Sequence, residues 1–182
     1  MTCTTQDAYK TAIIEWVGIL TTGAEPSPQL AEAFTSSVYT DRHLRDMMLV
    51  STLSVKPLSE DVLIACADPH GEEIHTTVYD TLTALFDDNG YTPDHERFDN
   101  ALDALFTLMA YAKDDSWVCA NVDAMLAYLY WALGETSAAE TAVQQAFEES
   151  GDGEPPSIAQ TIRRALGFRI QPRYLEDLVE AD

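Results

Sequence analysis

An all-α fold is the reading of this 182-residue sequence, and three features carry it. Apolar residues recur at helical rather than alternating spacing, capping and stop signals punctuate the chain at helix-length intervals, and β-branched clusters bounded by turns are scarce. With 46% apolar residues the chain is able to bury a sizeable core. The expected architecture is a multi-helix bundle, or an orthogonal stack of helical hairpins, of about eight to ten helices.

A first helix is expected from Gln6 to Leu20, with Ala12, Ile13, Trp16, Val17 and Leu20 on one side, ended by "TTGAEPSP". Ser27 followed by Pro28 reads as an N-cap with proline at the first helical position, opening a helix whose inner face holds Leu30, Ala31, Phe34 and Val38. Thr40 and Asp41 are placed to cap a third helix with Leu44, Met47, Met48 and Leu53 inside, stopped at Lys56-Pro57. Ser59, Glu60 and Asp61 supply a cap and acids matched to the helix dipole for a short helix through Cys66.

A fifth helix should run from Glu72 to Phe86, with "DDNG" as its stop. Thr92-Pro93 starts a sixth, whose expected stripe is Phe98, Ala101, Leu102, Leu105, Phe106 and Met109. Ser116 is the expected cap of a seventh, ending at Gly134, and Ser137 with Glu140 has the S-x-x-E spacing of a capping box for the eighth. "SGDGEPP" reads as a linker, followed by short helices around Ile158 to Leu166 and Arg173 to Val179. The expected organisation is therefore a helical domain over 1–150, containing a hairpin at 116–149, and a 151–182 segment of linker and short helices packed on the same domain.

Charge narrows the function classes. Ten Lys and Arg stand against 31 Asp and Glu, and between Pro57 and Ile162 only Arg97 and Lys113 oppose 21 acids, a net of −19. Such a chain repels polyanions, so direct nucleic-acid binding is disfavoured. Acidity also has a plain role in keeping a protein in solution. Arg163, Arg164, Arg169 and Arg173 form the one basic cluster, and two readings of it stand: docking onto the acidic middle of the same chain, or meeting an external anionic partner. Cys3, Cys66 and Cys119 are odd in number and widely spaced, which reads as reduced thiols in a cytoplasmic protein. The N-terminal stretch has no basic region before its first apolar run, and that run is interrupted by Glu15, so neither a signal peptide nor a membrane span is expected.

The segment "AYLYWALGETSAAETAVQQAFEE", Ala127 to Glu149, resembles one tetratricopeptide-type helical hairpin. Gly134 permits the left-handed turn, and Ala139, Ala142 and Ala146 are small enough for two helices to approach closely. A solenoid needs about three such repeats, and one is found. Over Thr40 to Pro172 the chain also resembles the C-terminal half of an actinobacterial family catalogued as domain of unknown function 4192, through "HLRDMMLVSTL", "YWALGETSAAETAVQQAFEE" and "IAQTIRRALGFRIQP". Glu135 stands where the family's "GD" pattern has aspartate. The resemblance implies a cytoplasmic helical domain and no activity, cofactor or catalytic residue.

Candidate chemistry is thin. "DPHGEEIH" gathers Asp68, His70, Glu72, Glu73 and His75, the side-chain types that hold zinc, manganese or iron, but His70 and His75 are five apart across an expected turn. Histidines sharing a metal from one helix face sit three or four apart. His95 and Asp99 are at i and i+4, a surface pair unless a nucleophile or pocket joins them. No nucleophile elbow, phosphate-cradling glycine loop or H-E-x-x-H helix occurs. No catalytic, cofactor or metal set is therefore assigned, and the reading is a non-enzymatic module with a protein partner.

Its candidate contact residues are Tyr128, Tyr130, Trp131, Arg163 and Arg164, since aromatics and arginine concentrate at binding hot spots. Tyr130, off the main apolar stripe, could equally fill a gap against a neighbouring helix. Two alternatives remain: a DNA mimic whose carboxylates imitate phosphates and occupy a nucleic-acid-binding protein, and an enzyme with a metal site near His70 and His75.

Overall fold

The computed structural model describes residues 5–67, 72–87 and 91–175. Among them every regular element is helical: α1 (Thr5–Thr22), α2 (Pro28–Thr40), α3 (His43–Leu53), α4 (Glu60–Cys66), α5 (Glu72–Asp87), α6 (His95–Tyr111), α7 (Ser116–Ala132), α8 (Thr136–Glu149) and α9 (Ser157–Gly167). The all-α class and the helix number are as expected. No helix among the described residues is long and apolar enough to cross a membrane. The chain divides into two compact units, residues 1–82 with 94–111, and residues 83–93 with 112–182. Within the second of these, α9 packs on both α7 and α8.

In the first unit α3 is the central helix: every residue from His43 to Leu53 except Asp46 is buried. Trp16 of α1 lies in this core and its indole Nε1 donates to the Met48 carbonyl at 3.0 Å. Buried Ser51 and Thr52 return their hydroxyls to the Met47 and Met48 carbonyls, so they add no unpaired donor to the interior. α1 ends at Gly23, whose left-handed φ of 65° closes the turn through its N–H to the Ile19 carbonyl. Ser27 caps α2 as expected, accepting from the Leu30 N–H, while its own N–H and hydroxyl donate to the Glu15 carboxylate at 2.8 and 2.9 Å.

Three local expectations are corrected here. α3 begins at His43 and not at Asp41, because Arg42 adopts φ 62° and separates the helices; Asp41 serves the junction by accepting from the Tyr9 hydroxyl and the His43 N–H. α6 is capped by Asp94, whose carboxylate accepts from the Arg97 N–H at 3.1 Å. On that helix Phe106 is 49% exposed, and the buried stripe is Phe98, Ala101, Ala104, Leu105 and Leu108. Its spacing of three, three, one and three follows the 3.6-residue turn, and Phe106 falls beyond its edge.

The second unit is built on the α7/α8 hairpin. α7 is buried on almost all sides, so its sequence shows little amphipathic contrast. Asp115, not Ser116, caps it, accepting from the Val118 N–H at 3.1 Å. Gly134 turns the chain at φ 80°, and the Glu135 N–H reaches back to the Tyr130 carbonyl. This tight closure starts α8 at Thr136, placing Ser137 inside the first turn, and the expected capping box gives way to a start without a side-chain cap. Ala139, Ala142 and Ala146 are buried on α8, as the hairpin reading requires. Ala124, Ala146 and Ala159 bring α7, α8 and α9 together, with Phe147 and Ile158 packed against them.

Candidate interaction surface

The candidate chemical groups do not converge. His70 lies outside the described residues, and of His75 only its place on α5 is described. His95 and Asp99 are both exposed on α6. Among the described residues no three His, Cys, Asp or Glu side chains are grouped to hold a metal ion. Cys119 is buried and its Sγ donates to the Ala112 carbonyl at 3.3 Å. Burial pushes its thiol up, and the carboxylates of Glu149, Asp123 and Asp115 push the same way. That is the opposite of what a nucleophilic cysteine requires.

Asp123, one turn further along α7, is 4% exposed, and its carboxyl is pushed up to about 6 by burial, with Glu149 adding to the effect. Arg97 is also buried: its Nη1 donates to the Ser54 carbonyl at 2.6 Å at the end of α3, and its Nη2 pairs with Asp94 at 3.2 Å. A fixed cation there meets the negative end of the α3 dipole. The Arg97 N–H, assisted by the guanidinium charge, holds the Asp94 carboxyl below the usual carboxylate range.

The aromatics expected at an interface are largely interior. Tyr128 is 7% exposed and Trp131 3%, their rings edge-on at 5.5 Å, and burial raises the Tyr128 hydroxyl well above its ordinary range. Both were expected at a contact surface and both lie inside the fold, on a helix buried on almost all sides. Tyr130 is half-buried. Arg163 and Arg164 are exposed. Arg163 stacks its guanidinium over the Phe147 ring at 4.7 Å. Among the described residues neither arginine forms an ion pair.

The surface that does project lies just past α9. The helix closes with the Phe168 N–H on the Arg164 carbonyl and the Ile170 N–H on the Ala165 carbonyl at 2.8 Å. Arg169 takes the left-handed position, φ 57°, that glycine usually fills. Trp131 then fixes the loop from beneath, its Nε1 donating to the Ile170 carbonyl at 2.9 Å. On this braced backbone Phe168 is 78% and Ile170 45% exposed. Beside them opens a cleft of about 320 Å³, with Trp131, Gly134 and Leu166 meeting Arg169 and Ile170, and Glu140 on its α8 side. Sequence reasoning marked the arginines but passed over Phe168 and Ile170. The signal was "LGFRIQP", in which two large apolar residues straddle an arginine at a helix end instead of continuing the α9 stripe.

No family model, curated protein or solved structure matches the chain.

Proposed function

We propose that this chain is a non-catalytic, protein-binding helical module that engages its partner through Phe168, Ile170 and the arginines beside them. The observation that carries this is Phe168, exposed to 78% on a loop held by helix-end hydrogen bonds and by Trp131. A large aromatic on fixed backbone loses little conformational freedom on docking, and aromatic and arginine side chains supply a disproportionate share of interface energy. The left-handed arginine costs about 1 kcal/mol relative to a glycine, and such local strain persists where the surroundings over-determine it.

The test is site-specific cross-linking from a photoreactive residue at 168 in the full chain, paired with affinity capture by the Phe168→Ser/Ile170→Ser variant. A partner cross-linked from 168 and lost from the double variant supports the reading. An unchanged partner set, with no cross-link from 168, removes it.

A second reading rests on α6, where exposed Glu96, Asp99 and Asp103 form a row along one face. Successive members are about 4.5 to 6 Å apart along the axis, close enough to present a line of charge to a phosphate-binding groove. It predicts a partner that duplex DNA displaces and that the Glu96→Gln/Asp99→Asn/Asp103→Asn variant fails to hold; retention by that variant counts against it.

A further inference from the structure

We infer that the surface after α9 receives an acidic peptide segment of a partner protein, one bulky apolar side chain entering the cleft beside Trp131 and the carboxylates lying along the arginines of α9. This rests on the preceding reading of the 168–170 loop and adds the partner's chemistry.

Charge is the first argument. Four of the ten basic residues of a chain with net charge −21 fall between Arg163 and Arg173. Arg163, Arg164 and Arg169 are exposed, and none of the three is ion-paired among the described residues. Guanidinium groups left unneutralised on an otherwise acidic molecule suit carboxylates, which they bind through paired hydrogen bonds. The rest of the chain repels anions, so attraction is confined to about one Debye length around the cluster. A long duplex or an anionic bilayer would extend into the repulsive field; a short peptide need not.

Shape is the second. At about 320 Å³ the cleft sits at the lower end of ligand-site volumes and suits a side chain rather than a folded domain. Its apolar wall is Trp131, Leu166 and Ile170. The polar rim is asymmetric, Glu140 on the α8 side and Arg169 on the α9 side, which sets the peptide's direction: its acids must turn away from Glu140. Arg164 and Phe168 stand one helical turn apart and are both exposed, so one segment can meet a cation and an aromatic together.

The experiment is selection of a displayed random-peptide library against the full chain, with recovered peptides measured by fluorescence anisotropy. The expected result is enrichment of Asp and Glu around a single large apolar residue, with binding that weakens as salt rises. Arg164→Glu/Arg169→Glu should reduce affinity at least about tenfold, and Arg164→Lys/Arg169→Lys should retain part of it. Circular dichroism confirms that each variant is folded. Peptides without acidic enrichment that still require Phe168 overturn the inference and leave the binding reading standing. Peptides indifferent to Phe168→Ser/Ile170→Ser overturn both. Recovery of no binder, or tighter binding of heparin or phosphatidylglycerol vesicles than of any peptide, also overturns it.

Discussion

The Trp131 indole donates its N–H to the Ile170 carbonyl at 2.9 Å, joining α7 to the loop 39 residues later. This bond gives the exposed Phe168 a fixed platform, since backbone on either side of it is already tied into the end of α9. Trp131→Phe removes the donor and part of a buried ring. The Ile170 carbonyl can turn to solvent, so the expected stability loss by urea denaturation is about 1–3 kcal/mol, most of it from the lost ring volume. Amide exchange at Phe168 to Gln171 should rise more than elsewhere in the second unit. Equal protection in both proteins would show that the loop is held by other contacts.

Gly134 is required by its backbone: its φ of 80° is unfavourable for a side chain, whereas the Leu175 Cδ1, 2.8 Å from where a Cβ would stand, is the end of a flexible side chain that can turn aside. Gly134→Ala is expected to destabilise the second unit by roughly 1–3 kcal/mol, read as lower amide protection in α7 and α8 than in α1 and α3. Wild-type protection throughout would contradict the turn geometry.

Asp123 makes stability depend on pH in a stated direction. Its folded value of about 6 lies above the ordinary 3.8, so between those values the folded state holds more of the proton. The contribution is fully present below 3.8 and is lost as pH rises through about 6. Burial is the larger cause, and Glu149, which adds to it, is exposed and screened by solvent, so the effect is about 1–3 kcal/mol. Asp123→Asn should flatten that part of the pH profile and be the more stable protein above neutrality. Parallel profiles for the two proteins from pH 4 to 8, roughly spanning the titration, would refute the assignment.

Arg97 is the reverse case, a buried cation with its partners in place. Arg97→Met leaves the Ser54 carbonyl and Asp94 without it and should cost about 2–4 kcal/mol in chemical denaturation. Arg97→Lys keeps the charge yet loses the fork that reaches both, so it should recover only part of that stability. Full stability of the methionine variant would show that water replaces the guanidinium at no cost.

Cys119 should behave as an interior thiol. Burial and three neighbouring carboxylates disfavour its thiolate, so alkylation followed by peptide mapping is expected to be at least about tenfold slower in the folded protein than in denaturant. Equal rates would place it at the surface.

Much of the helical layout was legible from residues, and the physics behind it is local. Ser27-Pro28 and Ser59 act within one turn of themselves, Gly134 decides a single backbone angle, and the alanines of α8 announce close packing through size alone. The errors lie at helix starts and at the edge of an apolar stripe. Asp94 and Asp115 displaced the expected starts of α6 and α7, and Phe106 left the core that its apolar character suggested.

The sequence by itself determined the helical class, the acidic middle, the hairpin at Gly134 and the basic cluster after it, because composition, periodicity and caps are properties of neighbours along the chain. Only the tertiary structure decided that Tyr128 and Trp131 are interior, that Arg97 ends α3, and that Phe168 stands in solvent beside Arg164 and Arg169, neither ion-paired among the described residues. Each of those depends on what a distant segment covers or leaves bare: Tyr174 reaches the Ala132 carbonyl across 42 residues, Trp131 the Ile170 carbonyl across 39, and no local pattern in α7 specifies either meeting.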